Sequence, residues 1–249
     1  MDNGYKMLQH VVRQVFGNLG QAARLTLLLT AGPMLIILYL SAQVVLGPGD
    51  ISQPQNPGLI FLLFLVNIVT SAWAAVGWHR YVLREEYGSG VVPQWRGGHI
   101  KSYIGRLIVL SLAVIAIFFG FGLVFIVLTM ALQTPAVAWF FALGATVGGS
   151  WLIVRLGLVL PAAAVGERLT LRESWNETRA VSTDILVPVV VLAIAFSIAS
   201  GAVNAIFAAF GASVVGLVAL ALVYWLQILL NLSLMTTVYG MQIEGRALT

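Results

Sequence analysis

The sequence predicts an all-α membrane protein with six spanning helices, and three observations support this prediction. Hydrophobic residues make up 60% of the 249 residues and charged residues only 9%, whereas charged residues are about a quarter of a typical soluble domain. Six apolar runs are each long enough to cross a bilayer, which takes about 20 residues in a helix. None of the runs has the two-residue alternation of a membrane β-barrel. Helices are therefore the expected elements, since they satisfy their own backbone hydrogen bonds in lipid.

The apolar runs indicate a single membrane domain, 1–249, rather than a set of soluble domains. The predicted transmembrane helices cover about 25–46, 58–83, 106–132, 135–161, 184–210 and 213–240. Glycine and proline predict bends in the first connection, at Gly47, Pro48, Pro54 and Pro57.

The stretch 5–23 precedes the first predicted span and has the pattern of an amphipathic helix. Apolar residues recur at helical spacing, and the opposite side carries Lys6, Arg13 and several amides. We expect this helix to lie in the plane of the lipid headgroups. The first uninterrupted apolar run begins only near Leu25, so we expect the first span to be retained rather than cleaved as a signal peptide.

The cations predict how the chain threads the membrane. All 13 Lys and Arg residues fall before the first span, around the second and fourth connections, or after the last span. The opposite connections, "GPGDISQPQNP", "QTP" and "GA", carry only one charged residue, Asp50. The positive-inside rule then places both termini in the cytoplasm. The net charge of +4 is explained by this orientation, and we expect no nucleic-acid partner.

The inner connections are long and the outer ones are short or rich in turn residues, which favours three helical hairpins. Each hairpin would be preceded by an amphipathic cytoplasmic segment, two of them marked by Trp95 and Trp175. The sequence "TLRE" matches a capping box, with Thr170 and Glu173 starting a short helix before Trp175.

The segment "WHRYVLREEYG", 78–88, combines a histidine, two arginines and two glutamates at the end of a predicted span. On one continuous helix, His79 and Glu86 would share a face but stand about 10 Å apart along the axis, too far for one metal ion or a direct proton transfer. Cations beside aromatic rings are typical of a membrane interface, and binding of anionic headgroups or a partner is the alternative. The residues expected as lipid-headgroup or interface anchors are Trp78, His79, Arg80, Arg84, Trp95, Arg172, Trp175 and Arg179.

No motif for metal, nucleotide or nucleophilic chemistry is evident. The chain has no cysteine and three histidines, His10, His79 and His99, which never stand at metal-ligand spacing. We therefore predict no catalytic residue, no metal site and no cofactor. An intramembrane enzyme becomes a candidate if the fold brings His79, Glu86 and Arg155 together.

Five side chains inside the predicted spans are the candidates for intramembrane polar or partner contacts: Asn67, Arg155, Asn204, Gln227 and Asn231. An amide facing lipid would be unsatisfied, so we expect the four amides to point inward and bond between helices, or else to line a cavity. We expect the Arg155 head group to reach the cytoplasmic interface, and a buried contact is the alternative.

Small residues and prolines predict how the helices pack. The pairs Gly144–Gly148 and Ser197–Gly201 suit close helix contact, within the chain or with another protein. Pro33, Pro161 and Pro188 all fall in the cytoplasmic part of their spans. Because proline bends a helix, we expect the inner half of the bundle to splay more than the outer half. Such splaying would leave space for a crevice that faces the cytoplasm.

The run "RLGLVLPAAAVGERLTLRESWNETR", 155–179, resembles a pattern of small bacterial inner-membrane proteins, the YciC-like group, and of the membrane part of some glycerophosphodiester phosphodiesterases. The resemblance covers Pro161, Trp175 and Thr178, and elsewhere only the six-helix layout. Members often have glycine where Ala180 stands. The resemblance implies a multi-pass protein of the bacterial inner membrane. The phosphodiesterase activity is not carried over, because the resemblance does not extend to the catalytic domain.

These observations favour a non-enzymatic integral membrane protein that serves as a scaffold or accessory subunit. Its expected partners are membrane lipids and a larger membrane complex, or a second copy bound through small-residue helix faces. The alternative function is a small-solute transporter or permease component, with Arg155 and the amides lining its path.

Overall fold

The computed structural model describes residues 2–46, 57–88, 90–132, 134–210 and 214–248. All regular secondary structure in these ranges is helical, which confirms the all-α prediction. Six helices are long and apolar enough to cross a membrane. The connection around Asp50, 47–56, lies outside the described residues together with Gln133 and 211–213, so the turns expected there stay predictions.

The helices begin and end close to the predicted positions, with additional short helices between them. In chain order they are α1 Asp2–Phe16, α2 Leu19–Ala22, a π-helical turn Ala23–Leu27, α3 Leu28–Leu46, α4 Pro57–Arg84, α5 Gly97–Leu132, α6 Pro135–Leu156, α7 Val159–Val165, α8 Leu171–Glu177, α9 Ser182–Phe210 and α10 Val214–Gln242.

Two of the predicted spans have different bounds in the structure. The helix α5 begins at Gly97 instead of Arg106, because the preceding segment is itself amphipathic: Ile100 and Tyr103 are buried at helical spacing and extend the buried face to Leu110. The fourth span is interrupted after Leu156, where α6 ends, and continues as α7.

The helix α1 packs one apolar face on the protein, and its position in the plane of the headgroups stays a prediction. Met7, Val11 and Val15 are fully buried where α1 packs on α9 and α10. Gly4 allows this approach, since a Cβ there would lie 2.7 Å from the Asp184 carbonyl oxygen. A second apolar strip of α1 remains exposed and can still meet the membrane: Tyr5, Val12 and Phe16.

The six long helices pack in succession, and α10 closes the arrangement. Contacts link α3 to α4, α4 to α5, α5 to α6, α6 to α9, α9 to α10, and α10 back to α3, while α10 also packs on α4. The short helix α7 packs on α4, α5 and α10.

The end of the bundle that holds Arg84, Arg96 and Arg246, called here the basic end, is the more tightly packed end. The short side chains of α7 fit between its neighbours, so its residues Val159 to Ala164 are all buried. On α5, no described residue after Leu110 is buried, and on α9 the last buried residue described is Leu192.

The buried residues are concentrated at the basic end, which is the half of the bundle that contains the prolines. The prediction that this half splays more than the other is therefore wrong. Pro161 and Pro188 are themselves buried: Pro161 lies in α7, which packs on α4, α5 and α10, and Pro188 lies in α9, which packs on α1, α6 and α10. The opposite halves of α5 and α9 are the open part of the described bundle.

Candidate functional site

A polar cleft of about 240 Å³ lies between α6, α9 and α10. Six of its lining side chains carry a hydroxyl or an amide: Thr146, Ser150, Ser197, Ser200, Gln227 and Asn231. Thr146 and Ser197 are exposed, so the cleft is open rather than enclosed. Its described lining contains no charged side chain. The cleft therefore offers neutral hydrogen-bond donors and acceptors inside helices that are apolar enough to cross a membrane.

The amides do not bond between helices in the described part of the chain, contrary to the prediction. Asn67 accepts a hydrogen bond from Ser71 of the same helix, 2.9 Å away. Asn231 donates to the Gln227 carbonyl, also within its own helix, at 2.8 Å. Gln227 and Asn231 instead line the polar cleft, which is the alternative considered for them.

Asn204 points outward, so the inward orientation predicted for it is wrong. It is exposed on α9, seven residues after Ser197 and therefore on the same face of the helix. No hydrogen-bond partner of its side chain is found among the described residues. Asn204 and Ser197 thus extend the polar surface of the cleft along α9.

Three indole N–H groups provide polar contacts between segments that are distant in the sequence. Indole N–H groups donate from Trp78 to Ser233 Oγ at 3.0 Å, from Trp225 to Thr26 Oγ1 at 2.8 Å and from Trp151 to the Ser182 carbonyl at 2.8 Å. The acceptor of Trp225 lies in the π-helical turn. These indoles each combine a large apolar surface with one donor, which suits them to fix helices in an apolar surrounding.

His79 and Trp78 are fully buried against α10, so neither is an interface anchor. Their side chains are 0% exposed, because the face of α4 that carries them packs on α10 rather than on lipid. The Thr236 hydroxyl donates to the Leu232 carbonyl at 2.6 Å, so it accepts from His79 Nδ1–H at 2.7 Å. The other ring nitrogen, Nε2, is buried with no hydrogen-bond partner among the described residues.

Arg155 is buried within the chain, which is the alternative considered for it. It is 4% exposed and donates from Nε to Thr178 Oγ1 at 3.1 Å and from Nη2 to the Trp175 carbonyl at 2.8 Å. Its guanidinium group stacks on the ring of Trp175 and also faces the ring of Trp151. All of these contacts are made within the chain, and Arg155 is not among the residues that line the polar cleft.

The helix α8 satisfies backbone groups where α6 ends. Ser174 Oγ donates to the Arg155 carbonyl at 2.6 Å and accepts from the Leu158 N–H at 3.3 Å. The predicted capping box that starts α8 is confirmed, with Thr170 and Glu173 bonded reciprocally. The segment 155–179 therefore has a structural role, since Arg155, Ser174 and the cap hold α8 against the break between α6 and α7.

The segment "WHRYVLREEYG" does not continue as one helix. The helix α4 ends at Arg84, and Glu85 has a positive φ of 52°, so the chain turns and Glu86 pairs with Arg80 and with Arg96. The hydrogen bond from Arg80 and the charges of both arginines hold the pKa of Glu86 below its ordinary value.

Arg84 is likewise paired within the chain, and the role of Arg80 and Arg84 as interface anchors stays a prediction. It lies 2.7 Å from Glu167 and 2.8 Å from Glu244. Glu167 also accepts from the Tyr239 hydroxyl at 2.6 Å. Arg246 pairs with Glu244 and donates to the Leu83 carbonyl at 2.6 Å. These contacts join the ends of α4, α7 and α10.

The other predicted anchors lie on the surface of the basic end. Arg172 and Arg179 are exposed. Trp95 is 55% exposed and meets the edge of Trp73, with the ring centres 5.0 Å apart. Trp175 is 37% exposed although one ring face covers Arg155.

The small-residue pairs are not used for close contact within the described chain. A Cβ placed on Gly144, Gly148 or Gly201 would have no atom within 4 Å. Gly144 and Gly148 line an apolar groove of about 510 Å³ between α5 and α6.

His79, Glu86 and Arg155 share no hydrogen-bonding partner or ring contact, so the described fold forms no joint site from them. No group of three or more His, Asp or Glu residues in the described ranges could hold a metal ion. No protein-family model, curated protein or solved structure matches the chain significantly. The fold and the candidate site therefore define the chain only as an all-helical protein with the six apolar helices of a multi-pass membrane protein.

Proposed function

We propose that the chain is a non-enzymatic accessory subunit of the bacterial inner membrane, which pairs with a transmembrane helix of a larger membrane complex. The six apolar helices would form three hairpins, and the basic end would face the cytoplasm with both termini. The distribution of all 13 cations supports this orientation. The bacterial location and the kinship with the YciC-like group are supported by the residues of segment 155–179 alone.

The observation that carries this proposal is the exposed polar surface of α9 beside the polar cleft. Ser197 and Asn204 lie within the candidate span Ser182–Phe207 and are exposed. Transferring an amide from water into hydrocarbon without a hydrogen-bond partner costs on the order of several kcal/mol. A partner that supplies hydrogen bonds at this depth removes that cost.

A transmembrane helix with a polar side chain has the chemistry that fits this surface. Gly201 lies between Ser197 and Asn204 on α9, and it leaves open space where another residue would project a side chain. Small residues let helices approach closely, and amides and hydroxyls then bond across the interface. Such a helix can come from a second copy of the chain or from a different membrane protein.

A small-solute permease component is the second candidate, favoured by the convergence of three helices on the polar cleft. A volume of about 240 Å³ would hold a small neutral solute, and the cleft offers both donors and acceptors. The guanidinium of Arg155 would take no part, because its hydrogen bonds and stacking are made to α8.

Site-specific photocrosslinking in cells separates the two candidates. A photoreactive residue at Ser197 should crosslink to one discrete membrane protein, or to a second copy, and Asn204→Leu, which removes the exposed amide of the same surface, should abolish the product. The matched control is a probe at Leu112, which is exposed on α5 and does not line the polar cleft. It should yield no discrete product. A Ser197 probe that gives no protein product, on a chain that purifies alone with a bound polar solute, would instead support the permease candidate.

A further inference from the structure

A second cavity, of about 320 Å³, opens where the first turns of α5 meet the end of α7. We call it the α5–α7 pocket. Its lining residues are Gly98, His99, Ser102 and Arg106 on α5, and Ala163, Gly166, Glu167 and Arg168 at and after the end of α7. It is separate from the polar cleft, and none of the anchors predicted from the sequence lines it.

The pocket has an excess of positive charge. Two of its lining residues, Arg106 and Arg168, carry a guanidinium group. Arg106 is held in place by donating to the carbonyls of Val159 at 2.9 Å and Glu167 at 2.7 Å, and neutral carbonyls do not cancel its charge.

The one acidic residue in the described lining is already neutralised from outside the pocket. Glu167 Oε1 accepts from Arg84 at 2.7 Å and Oε2 from Tyr239 at 2.6 Å. Its carboxylate is therefore engaged on the side of α4 and α10, so Arg106 and Arg168 lack a counter-charge in the described part of the chain.

Neutral donors complete the chemistry of an anion site. The Ser102 hydroxyl lines the pocket, and Gly98 contributes the first turn of the 36-residue helix α5, where free N–H groups favour an anion. Gly166 has a φ of +87°, and a Cβ there would stand 3.1 Å from the His99 ring, so this glycine lets the imidazole reach the pocket wall. Guanidinium groups with such donors are the chemistry that recognises phosphate.

The position of the pocket distinguishes a lipid phosphate from a soluble one. Just beyond Arg106, α5 exposes the apolar side chains Ile108, Val109 and Leu112. Val109 lies seven residues after Ser102 and hence on the same face. A phosphate bound in the pocket would leave attached acyl chains free to run along this exposed face.

We propose that the α5–α7 pocket binds the phosphate of an anionic glycerophospholipid from the surrounding membrane. Arg106 and Arg168 balance the phosphate charge, and Ser102 donates a hydrogen bond. A zwitterionic lipid is disfavoured because its ammonium group would find no free carboxylate among the described lining residues. This inference does not depend on the partner surface of α9.

Native mass spectrometry of the full chain in a neutral detergent tests the proposal. Phosphatidylglycerol should be retained in preference to phosphatidylcholine with the same acyl chains. Arg168→Gln should weaken phosphatidylglycerol binding by about tenfold, the effect of one charge-assisted hydrogen bond. Arg168 is exposed, so this variant should keep the thermal unfolding temperature of the parent chain.

Lys101→Gln is the matched control, because it removes one positive charge from an exposed residue of the same helix, α5, that neither lines the pocket nor is among the predicted anchors. It should bind phosphatidylglycerol as the parent chain does. Equal losses in the two variants would show a diffuse surface effect and overturn the proposal. Displacement of the lipid by an equal concentration of inorganic phosphate would assign the pocket to a soluble phosphate and also overturn it.

Discussion

The guanidinium carbon of Arg155 lies 3.5 Å from the centre of the Trp175 ring and 5.0 Å from that of Trp151. No carboxylate is among its described contacts, so the charge is stabilised by the two ring faces and by the acceptors on α8. This contact attaches α8 to the end of α6, and Trp151 in turn bonds the start of α9 through the Ser182 carbonyl. The arginine therefore positions a whole connecting segment.

Trp175→Ala should destabilise the chain by about 2 kcal/mol, because a desolvated cation then loses one of its two aromatic faces. The loss should appear as a lower thermal unfolding temperature in detergent. Trp95→Ala is the control, since the Trp95 ring is exposed and edge-on to another tryptophan rather than stacked on a cation. If both alanine variants unfold alike, the cation does not account for the stability of α8.

The adjacent hydroxyls of Thr236 and Thr237 should respond differently to the same substitution. Thr236→Val removes the hydrogen-bond partner of buried His79 and should cost about 1–3 kcal/mol. Thr237 Oγ1 is buried without a partner in the described structure, so Thr237→Val should be neutral or stabilising. Thermal unfolding of the two variants checks this difference, and a larger loss at Thr237 would contradict the hydrogen-bond assignment.

The sequence predicts the number and position of the apolar helices well, because an apolar run of about 20 residues or more has few structures to adopt other than a membrane-spanning helix. It does not predict which face of a helix meets protein. Lipid and a protein core are both apolar, so an apolar side chain carries no signal for one or the other. Trp78 and His79 illustrate this limit: cations and aromatics nearby are typical of an interface, yet both side chains face α10.

The polar sites are harder to predict from the sequence, because their residues come together only when the helices pack. Ser197 lies on α9 and Gln227 and Asn231 lie on the next helix, α10, and only the packing of α9 on α10 brings them together. Arg106 and Arg168 similarly meet through the packing of α5 on α7. The ion pairs of Glu86 with Arg80 and Arg96 depend on the turn at Glu85, which local sequence patterns do not indicate.

Gly4→Val should detach α1 from α9. A Cβ at this position would stand 2.7 Å from the Asp184 carbonyl and 2.8 Å from the Val187 side chain, so the helix has to shift at a cost of about 1–3 kcal/mol. Faster backbone hydrogen exchange in α1 should report the change. Gly20→Ala is the control, because a Cβ there meets no atom within 4 Å, and α1 should exchange as in the parent chain.

Glu86 should give the chain a stability that is lost in acid. Because Arg80 and Arg96 hold its pKa below the ordinary value in the folded state, the stabilisation is complete above the ordinary glutamate pKa and disappears as the pH falls through the lower folded pKa. Glu86→Gln should flatten this part of a plot of unfolding temperature against pH. Glu177→Gln, at an exposed residue of α8, should leave the plot as it is.

Single cysteines on a chain without native cysteine should report opposite faces of the membrane. If the basic end faces the cytoplasm, Glu177→Cys should react with a membrane-impermeant maleimide only after the cells are opened. Asp50→Cys, in the connection with no cation, should react in intact cells. The expected difference follows from the placement of all 13 Lys and Arg residues on one side. Labelling of both cysteines from the same side would rule out this threading.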